Sequence, residues 1–180
     1  SDLARLPLED GLRSVRELLR EHAVDGDALE VGCGTGLLRG CLGDRAWTGV
    51  DVDGPALLLA ERRCRAGDRV IAADAAQLPF ADGSFPLVIT HGLLHHLDAG
   101  SASSALSEMA RVCSGRLLVL DLVRDEAPLH RRALYAADAG RHIRYAGELQ
   151  SLCAPVMRVE RELFFRSGLN RKLLLVGAPR

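Results

Sequence analysis

Three glycines at alternate positions constrain the fold of this chain more than any other feature. Gly32, Gly34 and Gly36 follow the apolar segment 28–31 and precede a second apolar segment, 37–42. Glycines between a strand and a helix let the backbone turn tightly and approach a ligand at the helix N-terminus. The pattern predicts a strand–loop–helix unit of a Rossmann-like fold, with the loop as a ligand-binding element.

The other hydrophobic segments continue this alternation of strands and helices. Apolar runs predict strands at 47–52, 69–73, 85–90 and 117–123, and helical spacing predicts helices at 9–23, 56–64 and around 106–113. Two apolar runs, 156–165 and 172–176, flank a turn at 167–168 and predict a hairpin. We expect an α/β fold: a Rossmann-like, seven-stranded, mostly parallel sheet with helices on both faces and a C-terminal antiparallel hairpin.

The chain length predicts a single domain. With 180 residues, one hydrophobic core is the expected organisation, spanning residues 1–180. Within it, residues 1–26 form an N-terminal helical segment, and residues 125–153 form a polar, helical insertion between the fifth strand and the hairpin.

The composition disfavours several classes of partner. The formal net charge is −1 and aromatic residues make up 4% of the chain, whereas nucleic-acid-binding proteins usually carry a basic excess or stacking aromatics. No apolar run reaches membrane-spanning length, and the five cysteines have no CxxC spacing. We expect a cytoplasmic protein with no nucleic-acid and no membrane partner. Lys172 is the only lysine, which we interpret as a compositional bias toward arginine.

The glycine spacing decides between two kinds of nucleotide ligand. The dinucleotide fingerprint GxGxxG requires glycine at position 37 or 39, where this chain has Leu37 and Arg39. An NAD-dependent oxidoreductase is therefore disfavoured. The segment from Glu30 to Gly36 instead resembles the [D/E]xGxGxG motif of class I S-adenosylmethionine (SAM)-dependent methyltransferases.

Further segments extend this resemblance over residues 27–123 and the terminal hairpin. Residues 77–85 (QLPFADGSF), 94–97 (LHHL) and 115–120 (GRLLVL) are similar to conserved stretches of the family, although Pro86 replaces its usual aspartate. The similarity is greatest to a small-molecule branch that includes ubiquinone-type C-methyltransferases. It implies SAM as the cofactor.

The resemblance assigns roles at the cofactor site. Glu30 is implied to organise the glycine loop and bind the methionine amino group, and a carboxylate at Asp51 can accept both ribose hydroxyls. Asp74 and Ala75 are implied to hold the adenine, and Thr90 and His91 to lie beside the sulfonium. The expected cofactor-binding set is Glu30, Gly32, Cys33, Gly34, Gly36, Asp51, Val52, Asp74, Ala75, Thr90 and His91.

Three histidines after the fourth strand are candidates for catalysis. We predict His91 as a general base that removes a proton from the acceptor, with a passive backbone contact to SAM as the alternative. The i, i+4 spacing of His91 and His95 would also suit a metal, but no nearby carboxylate or cysteine completes a ligand set. We therefore expect no metal, with structural roles for His95 and His96.

The insertion supplies the candidate substrate contacts. We assign substrate binding to His95, His130, Tyr135 and Tyr145, because this segment covers the substrate in related enzymes. Its arginines either bind an anionic substrate or form a solvated helix face. Only about 25 residues precede the first motif, so the pocket is expected to be open or completed by a second subunit of a homodimer.

The sequence thus predicts methyl transfer from SAM to a small-molecule acceptor. Residues Thr90–Leu93 lack the [D/N/S]PP[Y/F] motif of DNA amino-methyltransferases. Two alternatives stay open: a SAM-dependent enzyme that does not methylate, such as a cyclase or an aminocarboxypropyl transferase, and a non-catalytic SAM-binding partner of a larger enzyme.

Overall fold

The computed structural model describes residues 16–17, 25–124, 142–167 and 170–180. Eight strands lie within these residues: β1 (Ala28–Val31), β2 (Trp47–Asp51), β3 (Arg69–Ala72), β4 (Phe85–His91), β5 (Cys113–Arg124), β6 (Arg144–Tyr145), β7 (Met157–Ser167) and β8 (Asn170–Pro179). Helices α1 (Gly54–Glu61), α2 (Ala99–Val112) and α3 (Ala146–Cys153) accompany them, with 3-10 turns at Leu37–Cys41 and Leu94–His96.

All eight strands form one sheet, in the order β3-β2-β1-β4-β5-β8-β7 with β6 paired to β5. Strands β1 to β5 run parallel, while β8 lies antiparallel between β5 and β7. This arrangement confirms the predicted α/β class and the terminal hairpin. Strands β2 and β3 are added on one side of β1, whereas β4 and β5 are added on the other side. The carboxyl ends of β1 and β4 therefore flank the switch point where open α/β sheets bind ligands.

Alternating side chains divide the core between the two faces of the sheet. On β4, Val88 packs with residues of α2 and α3, whereas Leu87 and Ile89 pack with α1 and the first 3-10 turn. Strands buried on both faces read as nearly continuous apolar runs, which is the pattern of residues 117–123. The buried residues of β5 alternate between the two clusters in the same way.

The structure differs from the expected elements in the loops and the insertion. Residues 37–42 form a short 3-10 turn rather than an α-helix, and α1 ends at Glu61. The described part of the insertion, which was expected to be helical, contains the helix α3 and the short strand β6. Most of the expected helix at 9–23 and residues 125–141 lie outside the described residues.

Helix α1 begins where the sequence supplies both a cap and a proline. The Asp53 carboxylate accepts a hydrogen bond of 3.3 Å from the Ala56 N–H, and Pro55 lies in the first turn. The cap and the proline therefore set the start of α1 directly after β2, beside the switch point. No helix in the described residues is long and apolar enough to span a membrane.

Helix α2 provides a test of core packing. Leu106 is fully buried between α2 and the sheet, so Leu106→Ala should lower the free energy of unfolding by about 3 kcal/mol through lost burial and a residual cavity. Urea denaturation followed by the fluorescence of Trp47 measures this change. The adjacent Ser107→Ala, on the exposed side of the helix, should change the free energy by less than about 0.5 kcal/mol. Equal effects of the two substitutions would contradict the packing.

Candidate active site

A cavity of about 660 Å³ lies at the carboxyl ends of β1, β2, β4 and β5, within the range of ~300–1,000 Å³ that is usual for small-molecule sites. It occupies the switch point between β1 and β4. The residues of the predicted site that line it are Glu30, Gly32, Cys33, Gly34, Asp51, Val52, His91 and His95. Helix α1 contributes Ala56, and β8 contributes Asn170 and Lys172.

A buried carboxyl group supports the floor of the cavity. Glu30 is 2% exposed, and its Oε2 accepts a hydrogen bond of 3.0 Å from the indole Nε1 of Trp47. Burial raises the pKa of Glu30 to about 8, and the nearby Asp51 raises it further, while the Trp47 hydrogen bond lowers it. Glu30 is therefore mostly protonated at neutral pH.

The position of the Trp47 indole requires a glycine at position 49. A Cβ added at Gly49 would lie 2.6 Å from Trp47 Cζ2 and 2.9 Å from Cys33 Sγ, closer than such atoms can pack. The indole also supports the loop, since a Cβ at Gly36 would lie 3.0 Å from Trp47 Cη2. Small residues thus allow one aromatic ring to fill the space beneath the glycine loop.

The glycine loop is joined to the end of β2 by a second carboxylate. The Gly34 N–H donates to Asp51 Oδ2 at 2.7 Å, and the Asp53 N–H donates to Asp51 Oδ1 at 3.0 Å. Gly34 has a φ of 49°, a left-handed conformation that glycine adopts without strain. Asp51 therefore fixes the loop that the sequence assigned to the cofactor.

The thiol beside this loop is not a nucleophile. Burial raises the pKa of Cys33 to about 12, and the neighbouring carboxyl groups of Glu30 and Asp51 raise it further. Because the thiolate is the reactive form, Cys33 lines the cavity as a neutral group.

On the opposite side of the cavity, His91 contacts a residue that the sequence analysis did not assign. The distance from Lys172 Nζ to His91 Nε2 is 3.1 Å. Burial lowers the pKa of His91 to about 4, with a further lowering by Lys172. His91 is therefore a neutral imidazole at pH 7 whose Nε2 accepts a hydrogen bond from the lysine.

His95 has a different partner. Its Nδ1 lies 2.5 Å from Asp121 Oδ1, and Asp121 also accepts from the backbone N–H groups of Leu94 at 2.6 Å and Leu122 at 2.6 Å. These bonds hold the carboxylate of Asp121 and orient the imidazole of His95. A carboxylate at Nδ1 places the proton on that nitrogen and leaves Nε2 as the basic atom.

Residues of the insertion hold the loop that carries His95. The Arg144 guanidinium donates to the carbonyl oxygens of Leu94 at 2.6 Å and Leu97 at 2.7 Å. The His142 N–H donates to the His95 carbonyl oxygen at 2.9 Å. The insertion therefore helps to position the histidine segment.

Residues 28–115 match a family described as "Methyltransferase domain", which covers just under half of the chain. The match spans the glycine loop and the strands that build the cavity. This segment is therefore similar to a methyltransferase domain. The match supports the SAM-dependent methyltransferase class and the cofactor SAM that the sequence predicted.

Curated relatives leave the methyl acceptor open. The "Probable tRNA methyltransferase 9B" of Mus musculus is 32% identical over 108 residues, covering 58% of this chain and 24% of the relative. A demethylmenaquinone methyltransferase of Beutenbergia cavernae is 39% identical over 97 residues, covering 52% of this chain and 39% of the relative. The chain thus spans less than half the length of these relatives. They do not confirm the ubiquinone-type branch or the exclusion of nucleic acid.

Solved structures share the whole fold. The PH0226 protein of Pyrococcus horikoshii superposes with a TM-score of 0.77 at 18% identity, covering 100% of this chain and 94% of its own. Magnesium protoporphyrin IX methyltransferase of Synechocystis, solved with S-adenosylhomocysteine (SAH) bound, gives 0.77 at 17% identity, covering 96% and 83%. At these identities the likeness establishes the methyltransferase fold.

Other residues of the predicted cofactor site lie outside the cavity lining. Asp74 is exposed beyond β3, where its carboxylate accepts from the Ala76 N–H at 2.9 Å, and Ala75 packs against the core. Thr90 is fully buried, so its side chain does not face the cavity. Gly36 lies behind the loop, against Trp47.

One of the three substrate-binding residues assigned in the insertion, Tyr145, lies within the described residues. Tyr145 is about half exposed and lines a second, more open cavity beside α3. His130 and Tyr135 lie outside the described residues. Of the two predicted substrate residues that the structure describes, His95 lines the cavity and Tyr145 does not.

The sequence analysis missed Trp47, Asp121 and Lys172. Trp47 and Asp121 lie inside apolar strands, where nothing in the pattern marks a polar contact. Lys172 carried a signal, since it is the only lysine among 23 lysines and arginines, but we attributed it to composition.

The raised pKa of Glu30 predicts a pH-dependent stability. A carboxyl group with a folded-state pKa near 8, against an ordinary value of 4.5, stabilises the fold fully below pH 4.5. That contribution is lost as the pH rises through 8. We expect Glu30→Gln, which can still accept from Trp47, to become more stable relative to the parent protein between pH 5 and pH 8.

Urea denaturation at several pH values measures this difference. The exposed Glu61→Gln is the matched control and should follow the parent protein at every pH. A constant difference between Glu30→Gln and the parent protein would show that Glu30 does not titrate in this range.

Proposed function

We propose that this protein transfers a methyl group from SAM to a small-molecule acceptor and releases SAH. The proposal rests on the hydrogen bond from the Gly34 N–H to Asp51, which joins the glycine loop to β2. The other side of the same cavity is lined by imidazoles and a lysine. One half of the cavity suits the nucleoside and methionine groups of the cofactor. The other half suits an acceptor.

Asp51 retains the capacity to bind the ribose. An ionised carboxylate has about four acceptor positions, and the backbone N–H groups of Gly34 and Asp53 use one on each oxygen. The other positions can accept the two ribose hydroxyls. Exposed Val52, at the cavity wall, offers an apolar surface beside them.

Glu30 is suited to the methionine amino group. Its carboxyl group lies at the cavity floor next to the loop, and an ammonium placed beside it favours the ionised form. The bound cofactor supplies an electrophilic methyl group on a sulfonium. The protein then accelerates the reaction chiefly by holding the acceptor in line with that methyl group.

The geometry supports His95 rather than His91 as the general base. His91 has a pKa near 4 and its Nε2 already accepts from Lys172, so it is a weak base with an occupied nitrogen. His95 is oriented by Asp121 and lines the same cavity. For acceptors that must lose a proton, we therefore propose His95 as the general base in place of His91.

A small-molecule acceptor agrees best with the charge of the chain, which is −1 overall, because nucleic-acid-binding enzymes usually need a basic surface. The similarity to the mouse tRNA methyltransferase supports tRNA as the second candidate. The homodimer, the cytoplasmic location and the single-domain organisation stay predictions.

Incubating the protein with radiolabelled SAM tests the function. Methyl label should move to a component of a small-molecule extract, with release of SAH and without methylthioadenosine. Methyl label in purified tRNA would instead support the second candidate, tRNA as the methyl acceptor. Methylthioadenosine would indicate the non-methylating alternative.

The ribose role of Asp51 gives a direct prediction. Asp51→Asn removes the charge that accepts the hydroxyls and should weaken SAH binding at least about tenfold, since hydrogen bonds to charged groups are among the strong ones. Calorimetric titration measures the affinity, with NAD as a ligand that should not bind. Asp44→Asn, exposed before β2, is the control, and equal affinities of the two variants would remove Asp51 from the site.

The general base is tested once an acceptor is identified. His95→Asn keeps a donor toward Asp121 but removes the basic nitrogen, so we expect kcat to fall about 100-fold or more with little change in SAH affinity. His91→Asn should lower kcat less than about tenfold. The reverse order would reinstate His91 as the base.

A further inference from the structure

The carboxyl group of Glu30 is enclosed by the protein and still reaches the cavity. The residue is 2% exposed, yet it belongs to the cavity lining, so a ligand contacts it from inside the cavity. Its Oε2 accepts a hydrogen bond of 3.0 Å from the indole of Trp47. An indole N–H can donate to a carboxylic acid as well as to a carboxylate. This bond therefore fixes the position of Glu30 without supplying a positive charge.

Acidic and neutral groups face Glu30 from the adjacent elements. Asp51 ends the neighbouring strand β2, and Asp53 caps α1 and lines the same cavity. The thiols of Cys33 and Cys41 lie in the glycine loop and the following 3-10 turn, and burial raises the pKa of both. At neutral pH these thiols are uncharged, so they do not compensate a negative charge on Glu30.

The cationic groups of this region have other partners. Guanidinium groups near the glycine loop bond to other acceptors: the Gly40 carbonyl oxygen for Arg16, Asp68 for Arg39 and the Thr35 carbonyl oxygen for Arg63. The titratable groups that line the far side of the cavity are His91, His95, His96, Asp121 and Lys172. The Lys172 ammonium contacts His91 there at 3.1 Å.

In the free protein Glu30 consequently holds its proton at neutral pH. A buried carboxylate beside a second carboxylate is costly, and burial, together with the charge of Asp51, raises the pKa of Glu30 to about 8. A ligand ammonium placed against the carboxyl group removes this cost, because opposite charges in contact favour the ionised form. The carboxyl proton then has to leave the site.

We propose that binding of SAM or SAH releases the carboxyl proton of Glu30 to solvent, and that Glu30 thereby selects ligands that carry an ammonium group. The carboxylic acid becomes a carboxylate, the ligand amino group stays an ammonium, and one proton passes to the buffer. This inference rests on the proposed function, because it assumes that the methionine end of the cofactor lies at Glu30.

Calorimetric titration counts the released proton. SAH is titrated into the protein at pH 6.5, where an α-amino group with an ordinary pKa of about 7.7–8.0 is protonated. The same titration in phosphate and in Tris, which differ in their heats of protonation, gives the number of protons exchanged. We expect release of about one proton, because Glu30 is almost fully protonated at this pH. The deamino analogue of SAH, which lacks only the amino group, should release none.

The affinity for SAH should rise with pH. Only the ionised fraction of Glu30 pairs with the ammonium, and for a pKa near 8 that fraction increases about tenfold between pH 6 and pH 7. SAH affinity should therefore increase about tenfold over this interval, whereas the affinity of the deamino analogue should change less than about twofold. The preference for the ligand with the ammonium group thus grows as Glu30 ionises.

Variants identify the group that loses the proton. Glu30→Gln can still accept from Trp47 but has no carboxyl proton, so its SAH binding should release none and should not depend on pH between 6 and 7. Glu61→Gln, exposed on α1, is the matched control and should release the same number of protons as the parent protein.

The fluorescence of Trp47 follows the same ionisation without a ligand. Trp47 is the only tryptophan of the chain, and its indole donates directly to Glu30. Its emission should change when the pH of the parent protein is raised from 6 to 9, and should stay constant in Glu30→Gln.

Two results would overturn the inference. One is SAH binding without release of a proton, and the other is equal proton release by the parent protein and Glu30→Gln. If Glu30→Gln does not fold, equal release with SAH and with its deamino analogue has the same meaning. A lack of SAH binding would instead reject the proposed function, whereas SAH binding without proton release rejects only the role of Glu30 in proton release.

Discussion

The hydrogen bond between the Trp47 indole and the buried carboxyl group of Glu30 supports the rest of the site. It joins β2 to β1 directly below the glycine loop, and both side chains are buried. A buried polar group without a partner costs more than its hydrogen bond contributes. Glu30 and Trp47 therefore depend on each other, and the glycines at 36 and 49 are required because the indole occupies the space beside them.

On the cofactor side of the cavity, backbone N–H groups position the carboxylate of Asp51. Gly34 places an N–H against Asp51, and Asp51 in turn is held by the start of the segment leading into α1. The carboxylate is thus oriented before any ligand binds. Such preorganisation lowers the cost of ordering the site when the ribose is bound.

The acceptor side is built by tertiary contacts between elements that are distant in the chain. Asp121 at the end of β5 orients His95, Arg144 holds the carbonyl groups of the His95 segment, and Lys172 reaches His91 from β8. The two imidazoles consequently differ in kind. His91 is a neutral acceptor for a lysine, and His95, the proposed base, is aligned by a carboxylate.

The sequence by itself determined the class of fold, the position of the cavity and the identity of the cofactor. Apolar periodicity predicts which segments are buried strands, because it is a local property of the chain. The glycine spacing after β1 disfavours a dinucleotide, and the resemblance of the same segment to the [D/E]xGxGxG motif implies SAM. The 3-10 turn at Leu37–Cys41 and the strand β6 were missed because such short segments carry no periodic pattern.

Only the tertiary structure decided the chemistry of the acceptor side. Residues 91, 95, 121 and 172 meet there through the pairing of β4, β5 and β8, and the pKa of His91 depends on burial and on a lysine 81 positions away, neither of which is encoded in the residues adjacent to it.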